Sequence, residues 1–467
     1  MDCMQMTRLD RFAATARNWL AGVVMATAVA LPALAQDGAR RTYIRDAEVE
    51  QLLKDYLAPL LRAAGQPAGS IRLMLVDDRA YNAFVSPGRR MTLHTGAIIE
   101  STTPNQLIGV MAHETGHIAG GHLARLSQEL PRAQALAVLG TLLGAGAVVG
   151  SARSSNVGVD GVAPMGMLLG GPELVMRSLL AYQRTEEQAA DRAAITFLNA
   201  TKQSGKGMVE TFQRMASQQM FLASRVDKYL LSHPLANDRI SAIETVARQS
   251  PYYEATDPPA LTLRHNLTRA KLVGFTGRSE EISRRYPASD TSLPARYARA
   301  IQAHRFSRGG EAQGLIDGLI AAQPRNPYFW ELKGQNLLEN GQGAAAVGPL
   351  RRAVALAPGQ PLIRVLLGHA LIATGAPANI DQAIKELRVV LQRDPEVLEA
   401  YLLLAQGYDK RGRTGEAELV TAEGYSYVGA HEEAARLAKR AQGRFPPGSA
   451  EWRKANDIIT QKPQDKG

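Results

Sequence analysis

The chain has 467 residues, 45% of them hydrophobic and 21% charged, which is long enough for two or three domains with their own cores and too apolar for general disorder. Its net charge of +10 is spread along the sequence, with no long Lys/Arg run interleaved with aromatics. That argues against nucleic-acid binding and leaves only weak attraction to anionic lipid or acidic partners.

The first 35 residues read as an export signal. Arg8, Arg11 and Arg17 form a basic region, Trp19 to Leu31 an apolar one, and Ala33-Leu34-Ala35 a small-residue cleavage site before Gln36. The alternative, a retained N-terminal anchor, is disfavoured because the apolar run is short for a span. No cysteine stands at the cleavage point, which argues against a lipid anchor, and the single cysteine, Cys3, lies inside the signal. The mature chain would carry a charge of +9, three arginines and two aspartates having left with the signal. It would contain no thiol, so any metal site in it must use histidine and carboxylate.

Ala47 to Ala64 has the apolar spacing of an amphipathic helix, ended by Gly65-Gln66-Pro67-Ala68-Gly69. Ile71 to Val76 reads as a strand. Asn82-Ala83-Phe84-Val85 and Met91-Thr92-Leu93-His94 flank Ser86-Pro87-Gly88 in the pattern of a hairpin. Thr103, Pro104 and Gln106 then supply an N-cap, a first-turn proline and a capping-box partner for a helix over 104 to about 119.

Ala133 to Ala152 is uncharged and rich in Ala and Gly. It reads as a helix packed on the catalytic domain, with peripheral membrane contact or a true span as alternatives. Residues 153–171 read as a Gly/Ser-rich loop, and Glu173 to about Ala200 as a helix. Met208 to Ser217 and Val226 to Leu231 continue the helical pattern. Ser250 to Pro259 looks like a domain boundary.

Beyond it, Pro324 and Pro358 stand 34 residues apart and Pro395 follows 37 later. Gly334, Leu337, Ala346 and Leu350 recur as Gly368, Leu371, Ala383 and Leu387, a pattern similar to the tetratricopeptide repeat. The expected fold is mainly α: a helical domain with a small antiparallel β-sheet over 36–255, then an α-solenoid over 256–460. Residues 461–467 are expected to be a disordered tail.

The chemistry centres on His113-Glu114-Thr115-Gly116-His117. Positions four apart share one helix face, so His113 and His117 can offer two imidazoles to one metal ion, and Glu114 can act as general base on a water. Two imidazoles need a third protein ligand. His122 would lie opposite His113 on a continued helix and is rejected as a ligand, leaving it a structural hydrogen bond or an exposed position. The alternative is a carboxylate from a second helix. Glu187 is the choice, with Asp191 one turn on to hydrogen-bond a ligating histidine from behind. Glu186 points about 100° away and reads as a solvated charge.

The H-E-T-G-H motif, the run Arg184 to Asp191 and the run His233 to Ile240 together resemble the zinc metallopeptidases of the HtpX and CAAX prenyl protease type. An export signal and a C-terminal repeat domain make the mature chain similar to the periplasmic BepA-like branch. Gln183 departs from the serine usual before the arginine. The resemblance implies one Zn2+ bound by His113, His117 and Glu187, with Glu114 as base. It implies that His233 approaches the metal and holds the site closed until substrate arrives, or else stabilises the oxyanion; on sequence alone it is a loop histidine. It implies that Arg239 contacts oxyanion or substrate, against a plain ion pair. Asn82, Ala83 and Phe84 would form an edge strand for substrate, with core packing of Phe84 the other reading. The implied function is periplasmic proteolysis with chaperone-like activity in the assembly and quality control of outer-membrane β-barrel proteins. Misassembled or unfolded barrels would be substrates, and the assembly machinery a partner of the repeats. Rival readings are a non-proteolytic scaffold with a closed metal site, and a membrane-integral peptidase spanning at 133–152.

Overall fold

A computed structural model describes residues 42–125, 162–221, 233, 237–307 and 310–461. The export signal, the uncharged stretch 133–152, the helical pattern at 226–231 and residues 462–467 of the expected tail lie outside the described residues. Among the described residues, no helix is long and apolar enough to cross a membrane. The chain divides into two compact units: residues 51–266, and residue 267 onward together with the segment up to residue 50.

In the first unit, helix α1 (Ala47–Ala63) buries Leu52, Leu53, Tyr56, Leu57, Leu60 and Leu61, the apolar face its spacing predicts. Tyr56 Oη lies 3.0 Å from His265 Nδ1, and His265 Nε2 donates to the Ser101 carbonyl at 2.7 Å. Strands β1 (Arg72–Val76), β2 (Ala83–Ser86) and β3 (Arg90–His94) pair in the order β1-β3-β2. The hairpin β2–β3 is antiparallel, but β1 pairs with β3 in parallel, so the sheet is mixed rather than antiparallel as expected. The short turn dictates the hairpin, whereas nothing local in the sequence says which hairpin strand a third strand joins.

Helix α2 (Thr95–Glu100) leads to α3 (Pro104–Gly120). The Thr103 side chain accepts from the Gln106 amide and Asp257 from the Asn105 amide at 3.0 Å, so two first-turn donors are capped, while Gln106 Oε1 reaches back to the Thr102 amide at 2.8 Å. Helix α3 is buried along most of its length. It packs against β2, α4 (Val162–Ala200) and α5 (Lys206–Phe221), and α6 (Asn237–Arg248) packs on α4 and α5. Helix α4 begins at Val162, within the stretch read as a loop. The glycine count there suggested a break, but Ala163, Met165, Met167, Leu168 and Leu169 are good helix formers.

The second unit holds helices α7 (Pro259–Thr276), α8 (Ser279–Arg285), α9 (Leu293–Phe306) and α10 (Glu311–Ala322). These are followed by α11 (Pro327–Glu339) with α12 (Gly343–Leu356), α13 (Pro361–Ala373) with α14 (Pro377–Arg393), and α15 (Leu398–Lys410) with α16 (Thr414–Tyr427). Helices α17 (His431–Gln442) and α18 (Ala450–Thr460) complete it. Each helix packs on its sequence neighbours. Gly334 lies against Leu350, and one repeat later Gly368 lies against Leu387, so the periodic small and large positions meet. One continuous apolar core runs through Leu337, Leu350, Leu367, Leu387 and Leu404.

Candidate metal centre

Helix α3 brings His113, Glu114 and His117 to the face that meets α4. The approach is close because of Gly116: a Cβ there would lie 2.8 Å from the Ala190 carbonyl oxygen and 3.0 Å from its Cα, contacts that no side chain tolerates. With backbone against backbone, Glu187 and Asp191, one turn apart on α4, reach the histidines. His233 comes from beyond α5 and Arg239 from the first turn of α6. His113 and Glu114 are fully buried, and His117, Glu187, Asp191, His233 and Arg239 nearly so.

Among the described residues, His113, His117, Glu187 and His233 form the one group able to hold a metal ion, with one ligand atom from each within 4.8 Å of the others. The separations are specific. Nε2 of His113 and Nε2 of His117 lie 3.1 Å apart; they lie 3.4 and 3.3 Å from the Glu187 carboxylate. His233 Nδ1 lies 3.4 Å from His113 Nε2 and 2.9 Å from Glu187 Oε1. Ligands bonded at about 2.0–2.1 Å around a tetrahedral ion stand about 3.3–3.4 Å from one another, so these residues fit a small metal ion. Glu114 fits a role beside it. Among the described residues neither of its buried oxygens has a hydrogen-bond partner, and His233 Nε2 lies 3.5 Å from Oε1, an arrangement that calls for an explanation such as a catalytic role.

The supports behind the donors are equally defined. Asp191 Oδ1 lies 2.9 Å from His113 Nδ1, on the side away from the donors. Arg239 Nε and Nη2 donate to Asp191 at 2.5 and 2.8 Å, and Nη1 lies 2.8 Å from Glu187 Oε2. Its guanidinium also covers the Phe212 ring, 5.4 Å from the centroid, and that ring meets His113 edge-on at 5.7 Å. Arg239 is therefore engaged in the ion pair that was one of its two expected roles.

Burial alone would raise Glu187 and Asp191. Hydrogen bonds from His113, His117 and His233 hold Glu187 below the ordinary carboxylate range, and those from Arg239 and His113 do the same for Asp191. Glu114 lacks such bonds. Burial pushes it up to about 7 against the pull of His113 and His117, a value suited to taking and returning a proton near neutral pH.

The edge strand β2 holds Ala83 and Phe84, with Asn82 just before it. Asn82 and Ala83 are buried, and Phe84 is half-buried with its ring edge-on to His94 at 6.1 Å. These three are not among the donor atoms; β2 packs on α3 with one edge unpaired by β3. Glu186 differs from the expectation. Its carboxylate, 14% exposed, pairs with His122 Nε2 at 2.9 Å and Arg125 Nη2 at 2.6 Å, so it is not a solvated charge. His122 itself is buried with Nδ1 2.9 Å from His117 Nδ1. The sequence offered no signal for Phe212. For Glu186 the signal was its place beside Glu187, which points it at a different histidine.

Residues 44–247 match the model of peptidase family M48. Over 423 residues, covering 88% of this chain and 84% of the relative, the sequence is 26% identical to the beta-barrel assembly-enhancing protease of Yersinia pestis. It is 24% identical over 425 residues to the protein of that name from Escherichia coli, covering 88% and 83%. The matched stretch contains every donor described above; this part of the chain is similar to peptidase family M48, and with the donor group it holds the protein is a metallopeptidase.

Proposed function

We propose that the protein is a zinc-dependent endopeptidase of the Gram-negative periplasm that acts on misassembled or unfolded outer-membrane β-barrel proteins. The single observation that most supports hydrolysis over a structural metal site is Glu114: a fully buried carboxylate, without a hydrogen-bond partner among the described residues and with His233 Nε2 3.5 Å from its Oε1, beside the donor atoms of His113, His117 and Glu187. His113, His117 and Glu187 would hold the ion. Zinc, when bound, supplies Lewis acidity toward a water and the scissile carbonyl. Glu114 takes a proton from the attacking water and passes it to the leaving amine. Asp191 fixes the ring of His113 and the proton on its Nδ1. Arg239 holds Asp191 and Glu187 together, which supports a positioning role for it in place of direct oxyanion contact. The outer strand β2, with Asn82 to Phe84, would take a substrate strand by backbone pairing.

His233 supports a closed resting site, since its Nδ1 lies 2.9 Å from Glu187 Oε1 and 3.4 Å from His113 Nε2 and would be a further ligand to the ion. Displacement of His233 would then admit substrate. The 34-residue pattern supports reading the second unit as tetratricopeptide repeats that recruit partners. The names of the two relatives support assembly of outer-membrane barrels as the context, and the leader-like first 35 residues support export with cleavage after Ala35.

The test is cleavage of an unfolded outer-membrane barrel by the purified mature chain, before and after chelation and after zinc is restored. Cleavage that chelation abolishes and zinc restores is expected; cleavage indifferent to both would remove the metal from the reaction. His233→Ala should raise cleavage if the residue is a latch, and a fall would make it catalytic instead.

A further inference from the structure

Helix α3 stops at Gly120 because Gly121 adopts a left-handed conformation, φ +68°, which favours glycine. The reversal turns His122 back under the last helical turn instead of round to the far side of a continued helix. Its Nδ1 lies 2.9 Å from Nδ1 of His117 and its Nε2 2.9 Å from Glu186 Oε2. The His122 ring fills the space that a side chain at residue 120 would need: a Cβ on Gly120 would overlap Nε2 and Cδ2 of His122. Glu186 is held in turn by Arg125, whose Nη2 lies 2.6 Å away and whose Nη1 donates to the Gly120 carbonyl.

These contacts permit one proton arrangement when His117 Nε2 binds a cation. A neutral imidazole ligating through Nε2 carries its proton on Nδ1. Among the described residues the acceptor that faces that proton is His122 Nδ1. His122 must then carry its own proton on Nε2, where it is donated to the Glu186 carboxylate. Each ligating histidine of α3 thus has a carboxylate behind it. His113 is served directly by Asp191, and His117 through one intervening imidazole by Glu186. The three carboxylates come from one face and its neighbour on α4, at positions 186, 187 and 191.

We infer that His122 and Glu186 are positioning residues for the metal centre: they fix the tautomer and ring orientation of His117, and Gly120 and Gly121 are the backbone conditions for that relay. This rests on the reading of the site as a zinc centre.

The test measures zinc affinity by chelator competition on the full mature chain, together with the visible spectrum of the cobalt(II)-loaded protein and the melting of the metal-free protein. His122→Leu should weaken zinc binding 10–100-fold, the usual range for losing such a partner, and alter the cobalt spectrum, with metal-free melting unchanged. His122→Asn should recover part of the affinity, because its Oδ1 can still accept from His117 Nδ1. Gly120→Ala should reproduce the loss while leaving every polar group in place, and it decides the same question if His122→Leu does not fold. Zinc affinity and cobalt spectrum unchanged in His122→Leu would overturn the inference. So would equal losses in the Leu and Asn variants accompanied by equally lowered metal-free melting, which would make His122 a packing residue only. Failure of the wild type to bind zinc would instead reject the underlying reading of the site.

Discussion

In the first unit, donor atoms of His113, His117, Glu187 and His233 converge on one another. In the second, carboxylates converge on a side chain. Lys271 Nζ lies 2.7 Å from Asp46, 3.5 Å from Glu48 and 3.5 Å from Glu331, all of them buried, and Tyr297 Oη donates to Glu48 at 2.9 Å. Both clusters bury charge, which is costly unless it is compensated. The Lys271 cluster carries its cation as part of the chain. At the metal centre, imidazole nitrogens and the Glu187 carboxylate stand 2.9–3.4 Å from one another, and Arg239 pairs with Glu187 and Asp191. The Lys271 cluster closes on a cation of its own chain, whereas the donors of His113, His117, Glu187 and His233 have the spacing of a metal site. Glu114 lies beside those donors, with His233 Nε2 3.5 Å from its Oε1.

The largest expected effect tests that distinction directly. Glu114→Gln keeps the shape and removes the base, so peptide hydrolysis should fall about 10²–10⁴-fold with zinc content unchanged. Loss of zinc along with activity would mean that Glu114 supports the ion and that the contrast is misdrawn. Next is Lys271→Met, which strands three buried carboxylates without their cation and should destabilise the second unit by about 3–5 kcal/mol. The readout is selective. Of the three tryptophans, Trp19 lies in the leader-like first 35 residues, while Trp330 and Trp452 belong to the second unit, so tryptophan fluorescence melting should drop while zinc affinity holds. A coincident loss of zinc would tie the two clusters together.

Much of this site was legible because its chemistry is local. The four-residue step from His113 to His117 and from Glu187 to Asp191 is set by helix geometry. The elements were legible for the same reason: Thr103 and Pro104 mark the start of α3, and the hairpin turn marks β2 and β3. What was hidden depends on where a chain turns or what it meets. Extending the helix past Gly121 placed His122 on the wrong side, since a glycine at a helix end can continue or reverse the chain. Glu186 read as solvated because its partners are His122 and Arg125, some 60 residues away. The parallel pairing of β1 with β3 and the convergence of Asp46, Glu48 and Glu331 on Lys271 are likewise long-range. Composition and periodicity carry no record of them.

A smaller effect probes the support of His113. Asp191→Asn retains the shape but loses the charge that faces both His113 Nδ1 and Arg239. Zinc binding should weaken about 10–100-fold, measured by chelator competition. Affinity equal to wild type would show that Arg239 and Phe212 suffice to hold the ring.

The smallest effect lies in the pH dependence of stability, where the two clusters should differ in sign. Burial, opposed by Lys271, raises Glu331 from 4.5 to about 7, and Glu48 likewise. Between those values the folded state holds more protons than the unfolded one, so this contribution to stability falls as pH rises from about 4.5 to about 7. Asp191 and Glu187 are shifted the other way. Their contribution in the metal-free protein is present above the ordinary carboxylate range and is lost as pH drops below it. Acidification from pH 7 to 5 should therefore raise the tryptophan-detected melting of the second unit. Glu331→Gln should remove part of that slope, leaving the share of Glu48. For a unit of roughly 200 residues each kcal/mol corresponds to about 2–4 °C, so the change is measurable. A slope identical in wild type and Glu331→Gln would mean that Glu331 stays ionised, with Lys271 compensating all three carboxylates. The Lys271 cluster would then hold its charges as firmly as Arg239 holds Asp191 and Glu187, and the two regions would differ in geometry alone.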